Sequence, residues 1–390
     1  MRQQFLPFAK PSISEEAIED VNDSLRSGWI TSGPKLKKFE TLLSEYTNAS
    51  NAVCLNSATA GLHLALLALN LKETDEVITT PMTFAATLNV IELVGAKVKL
   101  VDVNLSDYNI DISKIEQAIN ENTKVIMPVH FAGLPVDLKE IYNLAKKHNL
   151  VVIEDSAHAI GAEYDGKKIG SFGDFQVFSF HPNKNMTTGE GGCITSPRED
   201  FKKYFDEINL LKFHGMDREA WNRFGKTGSP HYQIVCPGFK YNLMDIQAAL
   251  GIHQIKALDA FIEKRTYLAQ RYYQLLNDVE ELILPQMPNY KFKHAWHLFA
   301  PRVNSEKTRI TRDELMNELK NNNIGCGLHY EAAHLYPYYK TKYGYDLGDF
   351  PNAELIGGSV ISLPLFPGMS ESDQDDVVST LKDIFNCFRK

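Results

Sequence analysis

Residues 150–162 read LVVIEDSAHAIGA and residues 175–180 read FQVFSF. The first opens on four apolar positions in a row, and the second sets aromatic and β-branched residues at most of its positions. Neither leaves a face for water, so both read as buried strands. Working outward, EVITT (76–80), KVKLVDV (97–103) and TKVIMPVHF (123–131) repeat the pattern, with helical stretches such as DLKEIYNLAKKHN (137–149) between them. Strands alternating with helices need crossover connections, which predicts an α/β fold with a mostly parallel sheet covered on both faces. Ligands bind such sheets outside the carboxyl ends of the strands.

At 390 residues the chain exceeds one ordinary core and predicts two units, a large domain over 1–258 and a smaller α/β domain over 259–390. In the first, a helix from Ser14 to Leu25 carries Ile18, Val21 and Leu25 on one face, and ATAGLHLALLALN (58–70) reads as a second helix. After the helix MDIQAALGIHQIKAL (244–258), a further long helix through about residue 278 leads to the second unit. There HAWHLFAPRV (294–303) reads as a strand, Thr311 and Glu314 form a capping box with Ile310 stapled to Leu315, and Val377, Val378, Leu381, Ile384 and Phe385 mark a final helix.

A 44% hydrophobic and 23% charged composition is that of a globular protein. No apolar run reaches bilayer length, and MRQQFLPFAKP at the start lacks a signal segment, so no membrane partner and a cytoplasmic location are expected. Cys54, Cys193, Cys236, Cys326 and Cys387 show no CxxC spacing, which predicts reduced thiols and no metal site. A net charge of −8 argues against nucleic acid as a partner.

Three features converge on the strand ends. Asp155 closes LVVIED, where a carboxylate can hold a proton on a ring nitrogen; alone, it is as well read as a cap or turn acid. Asn56-Ser57-Ala58-Thr59-Ala60-Gly61 leads from the strand AVCLN into a helix, and unpaired N–H groups there suit a phosphate; alone, it is an ordinary capped helix start. Lys184, in SFHPNKNMTTGEGG (179–192), follows FQVFSF; a partly desolvated lysine condenses with carbonyls, although a solvated loop lysine or a phosphate contact fits it singly. Together the three suit pyridoxal 5′-phosphate, with its aldehyde on the lysine, its ring nitrogen on the acid and its phosphate at the helix.

At these residues the chain resembles the DegT-type sugar-nucleotide aminotransferases. GWITSGPK, NSATAGLHLALLAL, DEVITTPMTFAATLN, PVHFAGLPVDL, VIEDSAHAIGA, SFHPNKNMTTGEGG, KYNLMDIQAALG, GLHYEAAH and SLPLFP follow the family's order from Trp29 to Pro367. SATAGLH, KFHG, HAWHLF and GLHYEAAH look most like the UDP-4-amino-4-deoxy-L-arabinose–oxoglutarate aminotransferases. The chain departs in carrying Phe84 where that subgroup tends to have tryptophan, and YEAAH after His329 where proline-leucine-histidine is common in the family.

The resemblance implies fold type I and an imine between Lys184 and the cofactor. It assigns Asp155 to the pyridinium nitrogen, Ala58, Thr59 and Ser179 to the phosphate, Phe84 to stacking on the ring and His158 to its Asp155 side. Asn242 would reach the cofactor phosphate of a neighbouring subunit, which implies a homodimer with shared active sites. Trp29, His181, His329 and Tyr330 match positions near the sugar. The implied reaction is transamination of a nucleotide-linked keto-sugar, nearest to a UDP-4-keto-sugar, with L-glutamate giving 2-oxoglutarate and an amino-sugar for surface polysaccharide or lipopolysaccharide. Two rivals share the fold: a sugar dehydratase, which carries histidine where this chain has Lys184, and a ligand sensor without activity.

Overall fold

The computed structural model describes residues 2–217 and 231–390. Strands β1 (Asn51–Leu55), β2 (Glu76–Thr79), β3 (Lys97–Leu100), β4 (Thr123–Ile126) and β5 (Val151–Asp155) are followed by the short β6 (Glu163–Tyr164) and β7 (Lys167–Lys168), then β8 (Phe175–Ser179) and β9 (Gly192–Ser196). Seven of these form one sheet in the order β1-β9-β8-β5-β4-β2-β3. All pairings from β8 to β3 are parallel, whereas β9 runs against both β8 and β1. β9, the run GCITS, is a strand that the sequence reading missed.

Helices α1 (Glu15–Ser27), α2 (Pro34–Thr47), α3 (Ala58–Ala68), α4 (Ala85–Leu93), α5 (Ile112–Ala118), α6 (Leu138–His148), α7 (Lys202–Leu211) and α8 (Asp245–Leu275) complete this part. Alternation along the strands divides the interior into two cores. Val152 and Phe178 join Phe39, Ile141 and Ile252 on one face, while Ile153 and Val177 join Leu62, Leu66, Ile91 and Phe205 on the other. Each such fully buried side chain contributes about 1.5–3 kcal/mol relative to exposure.

Three local expectations change. Ile18 and Leu25 of α1 are 42% and 54% exposed; the helix turns Ala17 and Ser24 inward instead. The expected two helices after residue 244 are a single 31-residue rod, α8, about 46 Å long. Gly251 does not break it, because the glycine lies flat against Phe39, where a Cβ would be 2.6 Å from the ring. Finally, HAWHLFAPRV is not one strand. Trp296 takes a left-handed backbone (φ 49°) and stacks on His294, with ring centroids 3.9 Å apart, so regular pairing is confined to the end of the run.

That run belongs to a C-terminal part built from β10 (Leu282–Ile283), β11 (Phe292–Lys293), β12 (Arg302–Val303), α9 (Arg312–Asn321), α10 (Pro337–Tyr343), α11 (Pro351–Ser359) and α12 (Glu371–Phe388). Thr311 caps α9 as expected, accepting from the Glu314 N–H at 3.3 Å while Glu314 accepts from the Thr311 N–H at 2.8 Å. A third core gathers Tyr272, Phe299, Ile310, Leu315, Leu381 and Phe385, and Leu6 from the opposite end of the chain joins it. Among the described residues, no helix is long and apolar enough to cross a membrane.

Candidate active site

The end of β5 carries two acids with opposite surroundings. Glu154 points into the core and is saturated: it accepts from Tyr142 Oη at 2.6 Å and Gln176 Nε2 at 3.0 Å, and pairs with His130 Nε2 at 2.8 Å. Asp155 points the other way, into a cavity of about 620 Å³. It accepts from Thr87 Oγ1 at 2.7 Å and the Ala157 N–H at 3.2 Å. Burial raises its pKa above the usual carboxylate value, against those hydrogen bonds and the nearby Lys184 charge. A cationic ring nitrogen would relieve that desolvation, which is the condition for binding one.

At the cavity's other end lies the start of α3. Ser57 caps it, accepting the Ala60 N–H at 3.1 Å, and its carbonyl takes the Gly61 N–H at 3.3 Å. The N–H groups of Ala58 and Thr59 remain for an anion, and both residues line the cavity. β9 backs this turn closely: a Cβ on Gly192 would lie 2.4 Å from the Ala58 nitrogen, so only glycine lets the strand support the helix start there. Ser179, at the end of β8, accepts from the His181 N–H at 3.4 Å and keeps its own proton to donate.

Lys184 lies on the turn after β8, beside Asp155's strand in the sheet. Desolvation lowers its amine to about 8, with Asp155 acting in the opposite direction. An amine in that range is largely neutral a little above pH 8 and therefore nucleophilic. Phe84 is 61% exposed where it lines the cavity, and its ring centroid lies 6.0 Å from that of Tyr330. His158 accepts the Ala132 N–H on Nδ1 at 3.3 Å, which leaves the Nε2 proton to point at Tyr330 Oη, 3.0 Å away. Burial, together with Lys184 and His329, holds His158 well below the ordinary histidine value, so this neutral tautomer persists.

The cavity thus brings together Ala58, Thr59, Phe84, Asp155, His158, Ser179, His181, Lys184, His329 and Tyr330. Trp29 and Asn242 lie elsewhere. Both meet Ser32: Trp29 Nε1 donates to its carbonyl at 3.3 Å, and Asn242 Nδ2 donates to its hydroxyl at 2.7 Å. Sequence reasoning missed Thr87, which orients Asp155, and His297, whose Nε2 is 3.5 Å from Lys184 Nζ. Thr87 had no signal beyond its place in PMTFAATLN, and His297 was hidden in a run read as strand.

An amine lowered toward neutrality, a buried acid on the adjoining strand, a helix start open to an anion and an exposed aromatic ring are the groups that a pyridoxal phosphate site requires. Sheet order and site together define a fold type I aminotransferase architecture. The model of the DegT/DnrJ/EryC1/StrS aminotransferase family matches residues 11–382, and the chain belongs to that family. It is 48% identical over 384 residues to the uncharacterized protein MJ1066 of Methanocaldococcus jannaschii, with 98% of each chain covered. It is 42% identical over 384 residues to the spore coat polysaccharide biosynthesis protein SpsC of Bacillus subtilis, again with 98% of each covered. The PMP-form structure of the putative sugar aminotransferase Spr1654 from Streptococcus pneumoniae aligns with a TM-score of 0.90 at 35% identity, over 98% of this chain and 99% of that one. Spr1654 has also been solved in a PLP-form.

Proposed function

We propose that this protein is a cytoplasmic, pyridoxal-phosphate-dependent transaminase of nucleotide-linked keto-sugars, nearest to UDP-4-keto-sugars. L-glutamate serves as amino donor, and the amino-sugar product feeds surface polysaccharide or lipopolysaccharide. The observation that carries the reading is the shared cavity: Lys184 and Asp155 leave adjacent parallel strands and face one space with the start of α3. When bound there, the cofactor supplies a carbonyl that takes up amino groups and a ring that draws electron density from the reacting carbon.

The chain's own residues do the rest. Ala58, Thr59 and Ser179 hold the phosphate, Phe84 covers one ring face and His158 lies on the Asp155 side. Asp155 keeps a proton on the ring nitrogen, and Thr87 fixes the orientation of that carboxylate. Lys184 would anchor the cofactor through Nζ, and that amine, displaced by the donor's amino group, would take the proton from the donor's α-carbon, so one group would be both nucleophile and general base. His329 and Tyr330 meet the sugar with His181 as a further contact, while Trp29, outside its own cavity, would reach the sugar of a second copy. Asn242 lies outside its own cavity, which suits a role at the phosphate of a second copy in a homodimer. Ile18, Leu25, Ile30 and Met244, all at least 40% exposed, give such a copy an apolar surface to cover. Free cysteines throughout the described chain suit a reducing compartment.

Purified protein should show the yellow absorbance of a lysine-bound cofactor, fixed at Lys184 by borohydride. It should release 2-oxoglutarate from L-glutamate with some member of a panel of nucleotide keto-sugars. Fixation without turnover on any of the panel would overturn the sugar assignment; absence of fixation would overturn the cofactor site as well.

A further inference from the structure

His297 is 2% exposed and does not line the cavity, yet its Nε2 lies 3.5 Å from Lys184 Nζ. Among the described residues its other ring nitrogen, Nδ1, is buried without a hydrogen-bond partner. The backbone that carries this ring is clamped from another element. The clamp is Arg265 of α8, itself 2% exposed. Its Nη1 donates to the carbonyls of Trp296 at 3.2 Å and His297 at 3.4 Å, on either side of the His297 backbone, and to Leu365 at 2.8 Å. Among the described residues no carboxylate pairs with this guanidinium. The left-handed turn at Trp296 then swings His297 toward Lys184, and the His158 ring packs beside it with centroids 4.3 Å apart.

The titratable groups facing His297 are Lys184, His158, His329 and Arg265, and none brings negative charge. Nothing in this shell stabilises an imidazolium, so the ring is a neutral acceptor toward the amine. We propose that His297 is a positioning residue for Lys184: Nε2 accepts one N–H of the freed amine and so turns the amine's lone pair toward the substrate carbon. A separation of 3.5 Å is at the long limit for such a bond. The proposal rests on the transaminase reading, in which Lys184 alternates between bound and free.

Two readouts test it. In cofactor-free protein, modification of Lys184 by acetic anhydride across pH is quantified by mass spectrometry. In the holoenzyme, single-turnover reaction with L-glutamate is followed by absorbance. His297→Leu should lower the labelling midpoint by about half a pH unit or more, because the lost acceptor favoured the ammonium more than the amine. It should slow single turnover about 10- to 100-fold while leaving the KM for glutamate within about twofold. His297→Gln, whose carbonyl can still reach Nζ, should keep most of both. Wild-type midpoint and rate in His297→Leu would overturn the proposal. If His297→Leu does not take up cofactor, His297→Gln against the shorter His297→Asn decides: the first retains function and the second loses it, and equal behaviour sinks the idea. Lack of borohydride fixation in the native protein removes the transaminase reading alone, since labelling of cofactor-free protein still reports the His297–Lys184 contact.

Discussion

Glu154 and Asp155 are consecutive carboxylates on one strand, and the two faces of the sheet give them different work. Glu154 has its oxygens filled by Tyr142, Gln176 and His130 and is fully buried. Asp155 has two donors, a raised pKa and an open cavity in front of it. A carboxylate with both oxygens engaged by core donors belongs to the architecture; one that faces a cavity with capacity left over is ready for a cation.

The sharpest way to break this contrast starts across the cavity from the acid. Lys184→Ala should reduce transamination about 10⁴-fold or more and abolish borohydride fixation, while the protein melts cooperatively. Near-normal turnover would remove the cavity from the mechanism. Next comes the pair itself. Asp155→Asn should cost about 10²- to 10³-fold in kcat with little loss of stability. Glu154→Gln should lose about 1–3 kcal/mol in denaturant unfolding, with activity largely intact. If the two variants exchange phenotypes, the assignment of the faces is wrong.

A smaller effect is expected where β9 supports α3. In Gly192→Ala the new Cβ meets the Ala58 nitrogen and displaces the phosphate seat, so cofactor affinity should fall roughly tenfold, about 1.4 kcal/mol, as measured by equilibrium titration. Turnover at saturating cofactor should change much less, and unchanged affinity would exclude this helix start as the phosphate site.

The smallest effect is one of pH. In cofactor-free protein, Lys184 titrates at about 8 against an ordinary value of 10.5, so between those values the unfolded chain binds more protons than the folded one. Stability contributed through this residue therefore rises with pH across that window and is lowest below it. Lys184→Met should accordingly be more stable than the parent at pH 7, with the difference closing by about pH 10.5. A gap independent of pH would show that the lysine is not desolvated.

What could be read from the sequence follows from how local each signal is. The strands ending at Asp155 and Ser179 and the capped starts of α3 and α9 announce themselves through apolar runs and cap residues within a few positions. Lys184, Asp155 and the Ser57 turn became a site because parallel topology brings strand ends together. His297 was illegible because its placement depends on a left-handed Trp296 and on Arg265, 32 residues earlier in the chain. α1 misled for a related reason: its apolar stripe is half-exposed on this chain, while small Ala17 and Ser24 face inward, so periodicity found a surface rather than a core. β9 was overlooked because it continues the glycine-rich run GEGG and read with it as loop, whereas Gly192 is there for close approach to the start of α3.

One arrangement bears on how such a molecule can diversify. The groups that suit the cofactor stand on sheet ends and helix starts, but Leu328, His329, Tyr330, Glu331 and Tyr336 reach the same cavity from an irregular segment of the C-terminal part. That segment is moored by the Ala333 N–H to the Pro81 carbonyl at 2.8 Å, His329 Nδ1 to Ser362 Oγ at 2.9 Å and His334 to Glu354 at 3.0 Å. The two walls meet at Tyr330, whose hydroxyl bonds His158 at 3.0 Å, so inheritance can edit the rest of this segment with least disturbance to the opposite wall. Change in what the cavity accepts falls on the Leu328–Tyr336 stretch, while the strand ends that carry Asp155 and Ser179 stay as they are.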